Sequence, residues 1–248
     1  MAPLVHATAG PATSITTLTL DSPANRNALS ARLVAELRAA LARAAADPGA
    51  RAVLLTHTGN TFCAGADLKS PCDPADFLAL LREVTALPKP VVARVTGHVR
   101  AGGLGLLGAC DIAAAGPQSS YAFTETHLGL APAVISMTLL PRLDPRAASR
   151  YFLTAEPFDA AEAARMGLLT LHAADDVDAA LTPVLDGLRK ASPQALAETK
   201  AMVTAAVREA LDRDGDRLTE LSARLFASDE AREGITARFE RRDPSWAR

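Results

Sequence analysis

Two short stretches, Phe62-Cys-Ala-Gly-Ala-Asp-Leu68 and Gly97-His-Val-Arg-Ala-Gly-Gly-Leu-Gly105, have residue types suited to holding a negative oxygen with main chain alone. Each follows an apolar run with strand character, Ala52 to Leu55 and Val91 to Val95, and each is rich in small residues that leave peptide N–H groups accessible. Preorganised N–H donors aimed at a developing oxyanion stabilise it strongly. The Gly102-Gly103 pair, opening a helix, would add the positive end of a helix dipole and room for close approach. Gly102, Gly103 and Gly105 also suit tight packing, and both readings stand.

The side chains nearby offer less. Cys63, Cys72 and Cys110 make an odd count without a Cys-x-x-Cys pair or a His at metal-ligand spacing, which reads as ordinary thiols and no metal site. A nucleophilic Cys63 would need an adjacent base, and none stands beside it. His98 and His127 have no evident partner, the usual sign of a structural histidine.

The elements that must position these groups alternate along the chain. Ile15 to Leu20, Arg51 to Thr56, Val91 to Val95, Ile112 to Ala115 and Tyr121 to Phe123 read as strands. Leu29 to Ala46 reads as a helix capped near Ser30, with Leu33, Leu37, Leu41 and Ala44 on one stripe. A turn at Gly59-Asn60, a helix around Ala75 to Val84 after a Pro-interrupted connection, and a short buried helix at Gly102 to Gly108 complete the first two thirds. Strands separated by helices predict parallel pairing, with ligands at the strand ends. The last third reads as helices over Ala147 to Leu153, Ala160 to Met166, Val177 to Ala191, Pro193 to Asp212 and Leu218 to Ala227. Gly167 is expected as a C-cap and Pro193 in a first turn.

The chain has 248 residues, enough for one sizeable core with a terminal extension. Its 26 basic and 28 acidic side chains are interspersed, and the net charge of −2 suggests neither a nucleic-acid nor a membrane partner. Met1 to Gly10 has no leader pattern and no stretch is apolar for the length of a bilayer, so a soluble cytoplasmic protein is expected.

Taken together, Asn27-Ala28-Leu29, the Phe62 to Leu68 loop, Lys89-Pro90, the Gly-rich turn, Cys110-Asp111, Glu125 and Ala147 to Leu168 resemble the enoyl-CoA hydratase/isomerase (crotonase) superfamily. The resemblance implies an α/β fold, a ClpP-like spiral of repeated ββα units over residues 1–190. A helical region at 191–248 would serve trimerisation and site closure. It implies an acyl-CoA thioester substrate, no metal or redox cofactor, coenzyme A arriving with the substrate, and a homotrimer or homohexamer.

The resemblance also assigns roles. The N–H groups of Ala66 and Gly102 would hold the thioester oxygen, Glu125 would move the proton, and Ala28, Ala64, Asp67, Leu68, Gly103, Gly105, Arg100, Pro132 and Phe239 would contact substrate. The Asp67 side chain itself is a turn residue by its chemistry. Two-carboxylate hydratases place one Glu at the position of Gly105 and a second twenty residues on, and here only Glu125 remains of that pair. Asp73 or Asp76 from the variable loop is a candidate substitute. Arg100 stands where small or apolar residues are usual, and would pair with a substrate carboxylate or face solvent.

A lone carboxylate suits a double-bond shift. Yet Leu104-Gly105-Leu106, Thr124-Glu125, Leu128 to Ser136 and Arg150 to Thr154 are similar to the subgroup of methylglutaconyl-CoA and carboxygeranoyl-CoA hydratases. Hydratase/dehydratase is therefore the favoured expectation, with enoyl-CoA isomerase or a non-catalytic acyl-CoA binder as alternatives. Aryl-CoA dehalogenation would need an Asp at Ala133, which Ala cannot replace.

Overall fold

The computed structural model describes residues 2–9 and 14–247; residues 1, 10–13 and 248 lie outside it, and with them parts of the Met1 to Gly10 stretch and the outer ends of the two expected regions. In chain order the elements are β1 (Val5–Ala9), β2 (Ile15–Leu20), α1 (Ala31–Ala46), β3 (Ala52–His57), β4 (Thr61–Cys63), α2 (Pro74–Ala86), β5 (Val91–Val95), β6 (His98–Arg100) and α3 (Gly102–Ala109). There follow β7 (Ile112–Ala115), β8 (Ser120–Ala122), α4 (Ala133–Leu139), α5 (Pro145–Thr154), β9 (Phe158–Asp159), α6 (Ala160–Arg165), β10 (Leu171–His172), α7 (Val177–Lys190), α8 (Pro193–Val203), α9 (Ala205–Phe226) and α10 (Asp229–Glu240).

The strands form two sheets, one ordered β1-β2-β3-β5-β7-β10 and the other β4-β6-β8-β9. Pairing is parallel throughout except at β1–β2 and β8–β9. Three consecutive units, β3-β4-α2, β5-β6-α3 and β7-β8-α4, each send the first strand to the large sheet and the second to the small one. Each turn of chain therefore lands one strand further along both sheets, which is the spiral of ββα units.

The sequence reading found the strands of the large sheet from β2 to β7 but took β4 and β6 as parts of loops and left out β1, β9 and β10. Apart from β1, which has five residues, the missed strands have two or three and are too short to show a period of two.

Local chemistry accounts for the main elements. The Ser30 hydroxyl accepts from Leu33 N at 3.2 Å and starts α1, whose Leu33, Val34, Leu37 and Leu41 are buried. The apolar runs of β3 and β5 lie in the middle of the large sheet, in register Val53 to Val91, and are covered on both faces. The main core joins Leu18, Leu37, Phe62, Leu80, Leu106 and Phe123, while a smaller cluster of Val92, Ala114, Val177 and Leu181 holds α7 to the other face.

The C-terminal helices correct the sequence reading in two places. The expected helices Pro193–Asp212 and Leu218–Ala227 are instead α8 and α9, broken only at Thr204, and α9 runs unbroken through Gly215. Thr204 is buried and donates its hydroxyl to Lys200 O at 2.7 Å. At Gly215, in the expected gap between the two helices, a Cβ would meet Arg82 Nη2 at 2.7 Å and Leu78 Cδ2 at 3.1 Å, so α9 packs closely on α2 there.

The second correction is α10, which was not anticipated. Its buried residues, Ala231, Gly234 and Ala237, are too small to give a hydrophobic period. Gly167, with φ +89° after α6, and Pro193, opening α8, stand as expected. The boundary expected at 190/191 falls in the turn between α7 and α8. Among the described residues no helix is long and apolar enough to cross a membrane.

Candidate active site

Strands β4, β6 and β8 lie side by side in the small sheet, and each delivers one group of interest just past its C-terminal end. Ala66 follows β4, Gly102 follows β6 and Glu125 follows β8. With neighbouring strands about 4.8 Å apart, the three groups are brought to one edge by register alone.

The Ala66 loop is braced from α1's approach. Buried Asn27 accepts from Ser22 N at 2.7 Å and donates to Thr58 O and Thr61 O at 3.1 and 2.8 Å. Next to it Leu29 N donates to Gly65 O at 2.8 Å and Asp67 N to Leu29 O at 3.3 Å. These bonds occupy the groups on either side of Ala66, whose own N–H donates to no acceptor among the described residues.

Gly65 has φ +89°, and a Cβ on it would meet Ala101 Cβ at 2.8 Å and Gly102 N at 3.3 Å, so glycine allows the loop to touch the start of α3. A Cβ built on Gly102 would lie 3.8 Å from Ala66 N, which puts the two amides next to each other. Gly102 N, the first of α3, likewise has no acceptor among the described residues. Ala101 between them sits at φ 47°, ψ −121°, a strained conformation for a residue with a side chain. Its N–H donates to Ala122 O at 3.1 Å and its carbonyl accepts from Leu104 N at 2.8 Å, which holds the strain in place.

Glu125 opens a single turn of 3-10 helix over Thr126–Leu128. Its carbonyl accepts from Leu128 N at 2.9 Å and Leu130 N at 3.0 Å. A Cβ at Gly129 would lie 2.6 Å from Glu230 C, and one at Gly234 would lie 2.6 Å from Leu128 C, so α10 clamps this turn backbone to backbone. The Glu125 carboxyl is buried, its Oε2 has no partner, and burial pushes its pKa up to about 7 against the smaller opposing effect of its own N–H.

These groups share one cavity of about 1250 Å³, whose wall includes Ala28, Ala64, Ala66, Asp67, Leu68, Arg100, Gly102, Glu125, Pro132 and Phe239. The C-terminal helices close one side of it through Phe226, Ile235 and Arg238.

Two of the residues expected to touch substrate face elsewhere. A Cβ at Gly103 would meet the Cys63 carbonyl at 2.7 Å, and one at Gly105 would meet Ile135 Cγ2 at 2.4 Å, so both are packing glycines off the cavity wall. Asp73 caps α2 by accepting from Ala75 N at 2.8 Å, and Asp76 pairs with Arg38 at 3.2 Å. Neither loop carboxylate reaches the cavity wall, so neither replaces the missing Glu.

The remaining candidates are accounted for by their contacts. Asp67 accepts from Lys69 N at 3.0 Å and from Asn25 Nδ2 at 3.1 Å, which orients the loop. Arg100 donates to Val99 O at 2.9 Å, Ser120 O at 2.5 Å and Ser120 Oγ at 2.8 Å, all neutral acceptors. Burial, then the neighbouring Arg238 and Arg26 charges, lower its pKa. His98 bonds Ser120 Oγ at 2.9 Å, and His127 is exposed at the cavity rim. Burial pushes the Cys63 thiol up to about 12, the opposite of nucleophile activation. Among the described residues no group of three His, Cys, Asp or Glu side chains is placed to hold a metal ion.

Sequence reasoning missed Ile135, Ala101 and the α10 clamp. Only the Gly105-x-x-Gly108 spacing hinted at a helix pressed onto α3.

Two parallel sheets wound as ββα units, with two free amides beside a buried acid, define an α/β protein of the crotonase fold. Residues 11–248 match the enoyl-CoA hydratase/isomerase family, and the chain belongs to it. It is similar to the crystal structure of an enoyl-CoA hydratase from Mycobacterium avium, with 52% identity, 100% of each chain covered and a TM-score of 0.93. An enoyl-CoA hydratase from Shewanella pealeana shares 32% identity over 98% of this chain and 96% of its own, with a TM-score of 0.76. The carnitinyl-CoA dehydratase of Proteus mirabilis is 30% identical over 94% of this chain and 95% of its own. An acyl-CoA activity of the hydratase/isomerase type follows from this membership.

Proposed function

We propose that the chain is an enoyl-CoA hydratase/dehydratase in which Glu125 alone moves the proton. The observation that carries this is the buried Glu125 carboxyl, its Oε2 unpartnered, in one cavity with the free amides of Ala66 and Gly102. A thioester oxygen held by the two N–H groups draws electron density from the double bond, and loss of one such donor costs about 10²–10³ in rate. Ionised Glu125 takes a proton from water as the water oxygen bonds the β-carbon. The double-bond electrons move onto the thioester oxygen as an enolate. Glu125 then returns the same proton to the α-carbon, so one water is added and the carboxylate is regenerated. A pKa near 7 lets the group serve as base and acid in turn.

The names of its relatives support hydration. One observation favours the second reading, double-bond migration: position 105 carries no carboxylate to share a water with Glu125, and Ile135 fills the space beside it. Arg100, half-buried and bonded to neutral acceptors only, is assigned to an anionic group of the substrate, a carboxylate on the acyl part. We also place the chain in a homotrimer or a dimer of trimers, to be checked by its mass in solution.

The test is incubation with 2-enoyl- and 3-enoyl-CoAs, with and without an acyl carboxylate, and product identification by mass. Hydration adds the mass of water and isomerisation adds none. Binding without either product would make the chain an acyl-CoA carrier. Equal selectivity of wild type and Arg100→Ala for carboxylated substrates would remove Arg100 from recognition.

A further inference from the structure

Ile135 is buried at 4% exposure and yet forms part of the wall of the same cavity as Glu125 and Gly102. It reaches the wall because α3 and α4 meet at backbone distance. A Cβ at Gly105 would lie 2.4 Å from Ile135 Cγ2, 2.8 Å from its Cβ and 3.2 Å from its Cα, and a Cβ at Gly108 would lie 2.8 Å from Leu139 Cδ2. Thr138, between them, donates its hydroxyl to Gly105 O at 2.9 Å and locks the register. The two glycines, three apart on one helix face, thus form a groove in which Ile135 and Leu139 sit.

Gly102 is one helical turn before Gly105, about 4.5 Å along the axis of α3. The side chain wedged on Gly105 therefore stands about one turn along α3 from the amide assigned to the thioester oxygen, on the wall of the same cavity. Val134, Ala133 and Leu130 extend the same apolar wall.

We propose that Ile135, seated on Gly105, is the residue that sets the depth of the acyl pocket and so the length of acyl group the site accepts. The inference rests on the acyl-CoA reading of the cavity given above. Its distinctive consequence is coupling: the wall position depends on having no side chain at residue 105. Ile135→Ala deepens the pocket, whereas Gly105→Ala pushes Ile135 into it.

The experiment measures binding of saturated acyl-CoAs of graded length by calorimetry, alongside kcat/KM for the matching enoyl-CoAs. Ile135→Ala is expected to move the optimum to acyl chains one or two carbons longer, with a gain of at least about 10-fold for those chains. Gly105→Ala is expected to move it the other way, and the double variant to return towards wild type. Where Ile135→Ala does not fold, Ile135→Val carries the same prediction at smaller size. A wild type that binds no acyl-CoA overturns the acyl-CoA reading and this inference together. A wild type that binds them, with an unchanged length profile in the 135 and 105 variants, overturns the role of Ile135 alone.

Discussion

Asp111 and Glu125 are both buried acids at the ends of the β7-β8 unit, and the protein treats them in opposite ways. Asp111 Oδ2 accepts from Lys200 Nζ at 2.8 Å and from Val91 N at 2.6 Å, and Lys200 also donates to Val84 O at 2.8 Å and Lys89 O at 3.0 Å. Burial raises the Asp111 pKa and lowers that of Lys200, each against the attraction of its partner. This set ties α8 to β5 and the start of β7. One oxygen of each carboxyl, Asp111 Oδ1 and Glu125 Oε2, has no partner, but Glu125 also has no cation beside it, only its own N–H. A buried carboxyl without a cation costs stability unless it holds its proton, and a shifted carboxyl of that kind in a cavity is a candidate for acid–base work. One acid holds the C-terminal helices to the sheets, and the other, on the function proposed above, serves the substrate.

The contrast is broken most severely at Glu125. Glu125→Gln keeps size and removes the titrating proton, so turnover is expected to fall by about 10²–10⁴ with acyl-CoA affinity changed little. The pH profile sharpens the point. Between the usual carboxylate value of 4.5 and the folded value of about 7, the folded state holds a proton that the unfolded chain has released, so stability falls as pH rises. That loss is on the order of 3 kcal/mol across the window and is absent from Glu125→Gln. The kcat/KM for hydration should rise through the same region as the carboxylate forms. Chemical denaturation at pH 5 and pH 8 and a rate profile check both. A flat stability difference between wild type and variant would mean that Glu125 is solvated.

At Asp111 the expected loss is of structure rather than rate. Lys200→Met leaves a buried carboxylate without its cation and should cost about 3–5 kcal/mol. Adding Asp111→Asn removes the stranded charge and should recover a large part of that cost, because the pair, once desolvated, contributes little beyond its own mutual satisfaction. Thermal and urea unfolding measure both variants. Equal destabilisation in the single and double variants would show that packing of the Lys200 stem, and not its charge, is what matters.

How much of this was legible in the sequence follows from length and spacing. The stripe of Leu33, Leu37 and Leu41 and the runs Ala52 to Leu55 and Val91 to Val95 are long enough to carry a period, and they gave α1, β3 and β5. The strands that bring Ala66, Gly102 and Glu125 to one edge have only three residues each; Tyr121 to Phe123 reads as a strand, but β4 and β6 read as loops, so the sheet under the site does not show in the sequence. Gly105 could be read as a missing Glu, but the Ile135 that fills its place lies thirty residues away and touches it only through tertiary packing. Asp73 and Asp76 kept their chemistry open in sequence, because capping and pairing with Arg38 depend on where α2 begins and what it faces.

A third carboxylate tests whether burial is the variable that separates the first two. Asp178, at the start of α7, pairs with Arg94 Nη2 at 2.6 Å, but its side chain is 61% exposed. The Arg94 hydrogen bond, its largest influence, holds the Asp178 pKa below the usual 3.8, opposite in direction to Glu125. The pair therefore adds stability that is present above the unfolded value and is lost as pH falls through the folded one. Water and salt screen an exposed pair, so Asp178→Asn should cost less than about 1 kcal/mol at neutral pH. The difference from wild type should shrink below pH 4 and at high salt. Urea titrations at pH 7 and pH 3 decide it. A cost as large as that of Lys200→Met would show that the link between α7 and the sheet, rather than burial of charge, governs how firmly this chain holds its acids.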